Sequence, residues 1–199
     1  TDQNNILVQV PSIESIAGDK LTAFAPTTTG IPYGKGKEVE IIKQLHDVGR
    51  LYDGIDSVAV VAAAFNHVVV KEIAYRGNLC TTDDVFSDII ETGLMLIKRD
   101  KNVEEPDKSR FLEIKLGLLQ FKSYQTKKAF RIEDAIIAAG KAALLAARIK
   151  AGDMSALPRF DPEIGKENYL ITNPAFIYLN RLPAEALFYW RQAVNSFYI

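Results

Sequence analysis

The segment Arg131–Gly152 constrains the fold more than any other part of the chain, because its pattern predicts one long helix. Alanine recurs there at every fourth position, at Ala135, Ala139, Ala143, Ala147 and Ala151. Residues four apart lie on one ridge of a helix, and isoleucine and leucine fill the neighbouring ridges. Alanine and leucine are also the strongest helix formers. The segment therefore predicts a helix with a smooth ridge of small side chains.

The charges at the two ends of this segment fit the same helix. Glu133 and Asp134 fall in its first turn and Arg148 and Lys150 in its last, which suits the helix dipole. Gly152 follows as a left-handed C-terminal cap. An alanine ridge lets another helix approach closely, both in soluble bundles and in membranes, and the lysines and arginine of this helix favour a soluble bundle. We expect it to be the spine against which the other helices pack.

Length and composition allow one domain with a sizeable core. The chain has 199 residues, of which 48% are apolar, and a formal net charge of −1, which gives no general attraction to nucleic acid or membranes. The single cysteine, Cys80, excludes an intramolecular disulfide and a zinc site of several cysteines. No signal peptide opens the sequence, and we expect a soluble protein, cytoplasmic or associated with a particle. We divide the chain into an N-terminal arm (1–37), a helical core (38–152) and a Pro-rich segment with a C-terminal helix (153–199).

The N-terminal arm carries two weak signals. Residues 6–10 form a candidate strand, and Ser12 is a candidate cap for a short helix through Ala17. The following loop ends in Gly-Lys-Gly-Lys, directly before a predicted helix. Backbone amides and lysines at a helix N-terminus can hold a phosphate, so Lys35 and Lys37 are weak anion-site candidates. The motif lacks the Gly-Lys-Ser/Thr ending of a phosphate-binding loop, and a Gly/Lys hinge is the favoured interpretation.

Hydrophobic periodicity predicts further helices in the core and near the C-terminus. They span residues 38–52, 57–75, 83–98, 111–121 and 183–197. Alternating apolar residues also allow a strand within 111–121, although we favour a helix there. Four prolines between residues 153 and 183 limit that stretch to short regular structure.

The segment Ser57–Tyr75 is apolar almost all round. Such a helix belongs in the centre of a bundle, at a contact between subunits or in a membrane. Its few polar residues, among them Lys71 and Glu72, argue against a stable membrane span. His67 lies among apolar neighbours, and we expect it to be a hydrogen-bonded core histidine.

Residues 108–131 form the one strongly basic segment. It holds seven basic residues against a single acid, Glu113, with aromatic residues between them. Lysines that follow phosphates and rings that stack on bases are typical of single-stranded nucleic-acid binding. The candidate contacts are Lys115, Lys122, Tyr124, Lys127, Lys128 and Arg131. Residues 83–107 are acidic by eight to three, so the favoured alternative is that the basic segment faces this acidic neighbour, within the chain or in the next subunit.

The chain shows little sign of catalytic chemistry. It holds two histidines and one cysteine, and their spacing fits neither a nucleophile with its base nor a metal site. His46 and Asp47 are adjacent on a helix and should point in different directions. Cys80 precedes a helix start but has no evident base, so we expect a packed thiol. We therefore predict no catalytic residue, no metal ion and no cofactor.

Together these patterns predict an all-α fold, a compact bundle or orthogonal array of five to six helices with an irregular N-terminal arm and a Pro-rich C-terminal segment. The favoured function is a non-enzymatic structural or assembly subunit of coat, filament or scaffold type, forming a homo-oligomer or larger assembly. One alternative is a nucleic-acid-binding protein or nucleoprotein that uses the basic segment. A further alternative is a membrane-active protein in which residues 57–75 insert into a bilayer.

Overall fold

The computed structural model describes residues 10–98, 104–124 and 129–197, and within them all regular structure is helical, with no strand. The helices are α1 (Ile13–Ala23), α2 (Glu38–Leu51), α3 (Val58–Tyr75), α4 (Thr82–Lys98), α5 (Asp107–Phe121), α6 (Ile132–Ala151) and α7 (Ala184–Phe197). The prediction of an all-α bundle or array is confirmed, as is the choice of helix for α5. Most of the strand predicted at residues 6–10 lies outside the described residues.

Helix α6 is the centre of the fold, as predicted. Every residue from Ala135 to Ala147 is buried except Ile137. The helix packs most extensively against α7 and α4, and also against α2. It ends at Gly152, whose φ of 68° is the left-handed conformation that glycine adopts without strain.

Small residues on α4 and α6 make room for the one tryptophan of the chain. Trp190 of α7 is fully buried, and its indole Nε1–H donates to the carbonyl of Ile136 at 3.1 Å. A Cβ atom on Gly93 would lie 2.9 Å from the indole ring, and one on Gly140 would lie 3.0 Å from it. Three helices therefore meet closely at a single aromatic ring.

Helix α1 is longer than the short helix predicted after Ser12. The Ser12 hydroxyl accepts from the backbone N–H of Ser15 at 3.2 Å and caps the helix, which continues past Ala17 to Ala23. It continues because Ala17 and Leu21 lie on one face and pack into the core, mainly against α3 and α2. This helix brings the described total to seven, one more than the five or six expected.

The Pro-rich segment contains only short turns among its described residues, in line with its prolines. Two 3-10 turns, Lys166–Tyr169 and Ile177–Arg181, lie between α6 and α7. The Asn180 side chain pairs with the backbone of Ile171, accepting from its N–H at 2.8 Å and donating to its carbonyl at 3.0 Å. This amide pair and the buried ring of Tyr169 hold the segment against α7.

Buried tyrosines predict a loss of stability at alkaline pH. Burial raises the pKa of Tyr189 to about 12 and raises that of Tyr52 further above its ordinary value of 10. Below pH 10 both phenols are neutral in the folded and unfolded chains. As pH rises from 10 to 12, the unfolded chain releases these protons while the native one keeps them. The free energy of unfolding should therefore fall by about 1.4 kcal/mol per pH unit for each tyrosine.

Denaturant titrations over this pH range, with tyrosinate absorbance followed in parallel, check this prediction. Tyr189→Phe should move the alkaline unfolding midpoint upward, whereas Tyr75→Phe, at an exposed ring, should leave it unchanged. Ionisation of all tyrosines near pH 10 in a still folded protein would contradict the raised pKa of the buried tyrosines.

Candidate interaction surfaces

Helix α5 presents a stripe of alternating lysine and leucine to solvent. The stripe, called the α5 stripe below, consists of Lys108, Leu112, Lys115, Leu119 and Lys122, all exposed. These residues are three or four positions apart and so share one face of the helix. The exposed Leu116 lies beside them. On the neighbouring face Phe111, Ile114, Leu118 and Phe121 are buried, mainly against α2, whereas Leu112 and Leu119 stay about half exposed.

The structure brings three candidate nucleic-acid contacts together. Lys115, Lys122 and Arg131 line one groove of about 420 Å³, whose apolar lining includes Phe130. Glu133 is the one acidic residue in this lining. The groove therefore combines an excess of positive charge with an aromatic ring. Helix α5 supplies one side of it, and the residues at the start of α6 supply the other.

The other residues of the basic segment are placed differently. Tyr124 is exposed but does not line the groove, and the Lys43 ammonium lies 4.6 Å from its ring centroid. Lys127 and Lys128 lie outside the described residues, so their role stays a prediction. The groove as described therefore rests on two lysines and an arginine.

The Gly/Lys loop does not form a convincing anion site. Lys35 and Lys37 are exposed, and the Gly34 N–H, which a phosphate would need, donates instead to the Glu113 carboxylate at 2.8 Å. Lys37 lines a cleft of about 740 Å³ together with Arg76. Three carboxylates line the same cleft, those of Asp19, Glu40 and Glu72. Acidic residues thus outnumber basic residues in this cleft, which disfavours the binding of an anion there.

Helix α3 is buried on one face only and does not lie in the centre of the bundle. Val61, Phe65 and Val69 are buried, chiefly against α1. The opposite face, called the α3 outer face below, is exposed: Val60, Ala63, His67, Val70, Ala74, Tyr75 and the following Leu79. Val70 is 62% exposed, and Tyr75 and Leu79 are each 89% exposed. Contiguous exposed apolar residues of this kind mark a candidate interaction surface.

The prediction of a core histidine at position 67 is wrong. His67 is exposed, and its Nε2 atom lies 2.7 Å from the Lys71 ammonium. The position follows from helix geometry, because residues 65 and 69 point into the core and residue 67 falls between them on the opposite side. His67 and Lys71 therefore add polar groups to the α3 outer face.

Acidic residues flank the α3 outer face at both ends. Asp56 precedes α3 and is exposed, while Asp83 and Asp84 follow Leu79 by a few residues and are also exposed. The Thr81 N–H and hydroxyl donate to the Asp84 carboxylate at 2.7 and 2.8 Å, which lowers its pKa. Asp83 lies 3.9 Å from the Lys150 ammonium and is otherwise open to solvent.

Among the described residues, Val58–Tyr75 is the one helix whose length and composition would allow it to cross a membrane. Of its most apolar window, 33% is buried inside the protein. Because core helices of soluble proteins pass the same test, a single such helix is weak evidence for a membrane span.

The two residues considered for catalysis have different surroundings. His46 Nδ1 lies 3.5 Å from Asp47 Oδ1, so these neighbours do meet, contrary to expectation. The hydrogen bond from His46, followed by the contact with Lys20, lowers the pKa of Asp47.

Burial and the negative charge of Asp84 raise the pKa of the half-buried Cys80 thiol, which fits a packed thiol. No group of three potential metal ligands occurs in the described part of the chain.

Neither a protein-family model nor a curated protein nor a solved structure gives a significant match to this chain. We therefore infer function from the exposed apolar faces and from the charges around them.

One buried ion pair was not predicted from the sequence, in which Lys141 counted only as a charge favouring solubility. Lys141 of the spine helix is 6% exposed, and its ammonium lies 2.8 Å from both oxygens of Asp53. The same ammonium lies 5.1 Å from the Tyr189 ring centroid and 5.6 Å from that of Tyr52. A lysine in the middle of an otherwise apolar helix was the available signal.

The two halves of this pair should respond unequally to mutation. Asp53→Ala strands a buried ammonium and should lower the free energy of unfolding by about 1–2 kcal/mol, less than for a fully buried pair because the Asp53 side chain is half exposed. Lys141→Met leaves a solvated carboxylate and an apolar chain of similar length, so its cost should be below about 1 kcal/mol.

Urea denaturation of both variants measures the difference, with Glu163→Ala, at an exposed site in the Pro-rich segment, as the control. Equal losses in the Asp53 and Lys141 variants would show that the burial of the ammonium has no energetic consequence.

Proposed function

We propose that the protein is a non-enzymatic structural subunit that associates with copies of itself into a homo-oligomer or larger assembly. The observation that carries the proposal is the α3 outer face. Val70, Tyr75 and Leu79 together expose far more apolar surface than isolated surface hydrophobes do. Covering such a face releases water from it and so favours association.

The α5 stripe supports the same proposal from a second helix. Leu112, Leu116 and Leu119 are about half exposed on consecutive turns, although the other face of α5 is well packed. Two separate exposed apolar faces on one small subunit suit a protein whose neighbouring subunits cover those faces.

Light scattering coupled to size exclusion tests the proposal. The wild-type protein should elute as a species heavier than 22.1 kDa, and nuclease treatment should not change its mass. Val70→Asp combined with Tyr75→Asp should shift it towards the monomer. Ile177→Asp is the matched control, because Ile177 is also exposed but lies in the Pro-rich segment. A wild-type monomer at micromolar concentration would refute self-association.

A second candidate function is single-stranded nucleic-acid binding, favoured by the groove that joins Lys115, Lys122 and Arg131. Basic groups that follow a backbone, with an aromatic ring beside them, can hold phosphates and stack a base. Lys115 and Lys122 come from α5 and the turn after it, and Arg131 caps α6, so the packing of two helices brings these three charges of the basic segment together.

Fluorescence anisotropy with a labelled oligothymidylate measures this binding. Replacing the three residues by alanine should weaken binding and reduce the salt dependence by about 0.7 in log–log slope for each phosphate that the protein no longer neutralises. Lys35→Ala with Lys37→Ala is the control and should have little effect. Binding that is equally strong and salt-dependent in the triple variant would exclude the groove.

A further inference from the structure

We infer that the copies join head to tail, with the α3 outer face of one subunit packed against the α5 stripe of the next. The inference rests on the proposed self-association and specifies its geometry. The occupant of each exposed face is thus a second copy of the same chain.

The two faces share the same helical spacing of exposed residues. Both consist of residues spaced three and four apart on one side of a helix, the arrangement that lets two helices interdigitate. Helix α3 has 18 residues and α5 has 15, so they are about 27 and 22 Å long. Ala63 and Ala74 leave shallow positions beside Val70 on the α3 outer face. Such positions suit the leucine side chains of the α5 stripe.

Their charges are complementary as well. The α5 stripe carries Lys108 near one end, Lys115 in the middle and Lys122 near the other. The α3 outer face is flanked by Asp56, which precedes α3, and by Asp83 and Asp84, which follow Leu79, so exposed acids border both of its ends. Lys71 is the basic residue on this face, and it leaves an acidic excess.

Pairing of like faces satisfies these charges less well. Two α5 stripes placed together would bring lysine against lysine, which is repulsive at an interface. Two α3 outer faces placed together would leave the leucines of both stripes exposed. The mixed contact covers both apolar faces and pairs opposite charges.

The mixed contact also has a consequence for assembly. Helix α3 packs mainly on α1, and α5 packs mainly on α2, so the two faces belong to different parts of the molecule. A contact between unlike faces leaves one free face of each kind on the growing complex. It therefore closes into a ring or continues as a filament, instead of stopping at a two-fold dimer.

A mixing experiment with two single-face variants tests this geometry. One variant carries Val70→Asp and Tyr75→Asp, and the other carries Lys115→Glu and Leu119→Glu. All four positions are exposed, so both variants should fold, and circular dichroism with thermal melting checks that they do. Each variant alone should remain a 22.1 kDa monomer. An equimolar mixture should form a complex of twice that mass and no larger, because each variant keeps one of the two complementary faces.

A charge exchange gives an independent readout. Lys108→Glu with Lys122→Glu should weaken assembly by roughly tenfold, since two charged contacts at the rim become repulsive. Adding Asp56→Lys and Asp83→Lys to the same chain should restore most of the lost assembly affinity. Asp161→Lys with Glu163→Lys, at exposed sites in the Pro-rich segment, is the control and should restore nothing.

Several outcomes would overturn the inference. If the α5 variant assembles like wild type and the mixture yields no complex that contains the α3 variant, the α3 outer face pairs with itself. Loss of the complexes on nuclease treatment would mean that nucleic acid bridges the subunits. Retained assembly of the α3 variant, together with abolished binding to anionic lipid vesicles, would assign the face to a membrane. A monomeric wild type refutes self-association itself, whereas the preceding outcomes in an assembling wild type refute only the head-to-tail contact.

Discussion

Replacing Trp190 by alanine is expected to lower the free energy of unfolding by about 4 kcal/mol, a large fraction of the total stability of a typical domain. The indole is fully buried between α4, α6 and α7, and its removal leaves a cavity that the helices cannot close without moving. The Ile136 carbonyl also loses the hydrogen bond that it accepts from Nε1–H.

Chemical denaturation followed by circular dichroism measures this loss. Trp190→Phe should cost less than alanine because it refills part of the cavity, although it still removes the hydrogen bond. Tyr124→Ala is the matched control, since it deletes an aromatic ring that is 62% exposed and lies outside the α3 outer face, so stability should be almost unchanged. A Trp190→Ala protein as stable as wild type would mean that the three helices do not meet at this ring.

Replacing Gly18 by valine is expected to destabilise the fold by about 3 kcal/mol. Gly18 lies where α1 crosses α3, and a Cβ atom there would come within 2.7 Å of the Phe65 nitrogen and the Val61 oxygen. Both are backbone atoms of a regular helix, so neither can turn aside as a flexible side chain would. Relief of the clash requires α1 to move away from α3.

Gly165→Val is the matched control for this substitution. Gly165 has φ of −60° and ψ of 146°, which any residue adopts, and the nearest atoms to a new Cβ belong to the flexible Glu167 side chain. Thermal melting should show a large loss for Gly18→Val and a small one for Gly165→Val. Because α1 supports the buried face of α3, the Gly18 variant should also assemble less well than wild type.

The spine helix shows how far local sequence can determine structure. Its alanine period, its end charges and the glycine at position 152 all act within a few residues of one another, and the structure confirms the helix together with its burial. The choice of helix for α5 was also correct, because its apolar residues at Phe111, Ile114 and Leu118 keep helical spacing. Signals of this kind depend on backbone hydrogen bonding and side-chain spacing alone.

Helix α3 shows where such signals end. Its apolar residues cover the whole circumference, so the sequence carries no periodicity that says which face is buried. The packing of α1 decides which face of α3 is buried. Phe65 and Val69 lie on the buried face, whereas Val70 and His67 stay in solvent. The wrong prediction of a buried His67 follows directly from this lack of periodicity.

The sequence by itself thus determined the fold class, the central helix and the two segments of opposite charge. Only the tertiary structure decided that Lys115 and Arg131 share a groove, that Lys141 meets Asp53 and that α3 keeps an open face. The physical reason is distance along the chain. Helix formation is decided by residues three and four apart, whereas burial and ion pairing join residues that are far apart in the sequence and meet only when the helices pack.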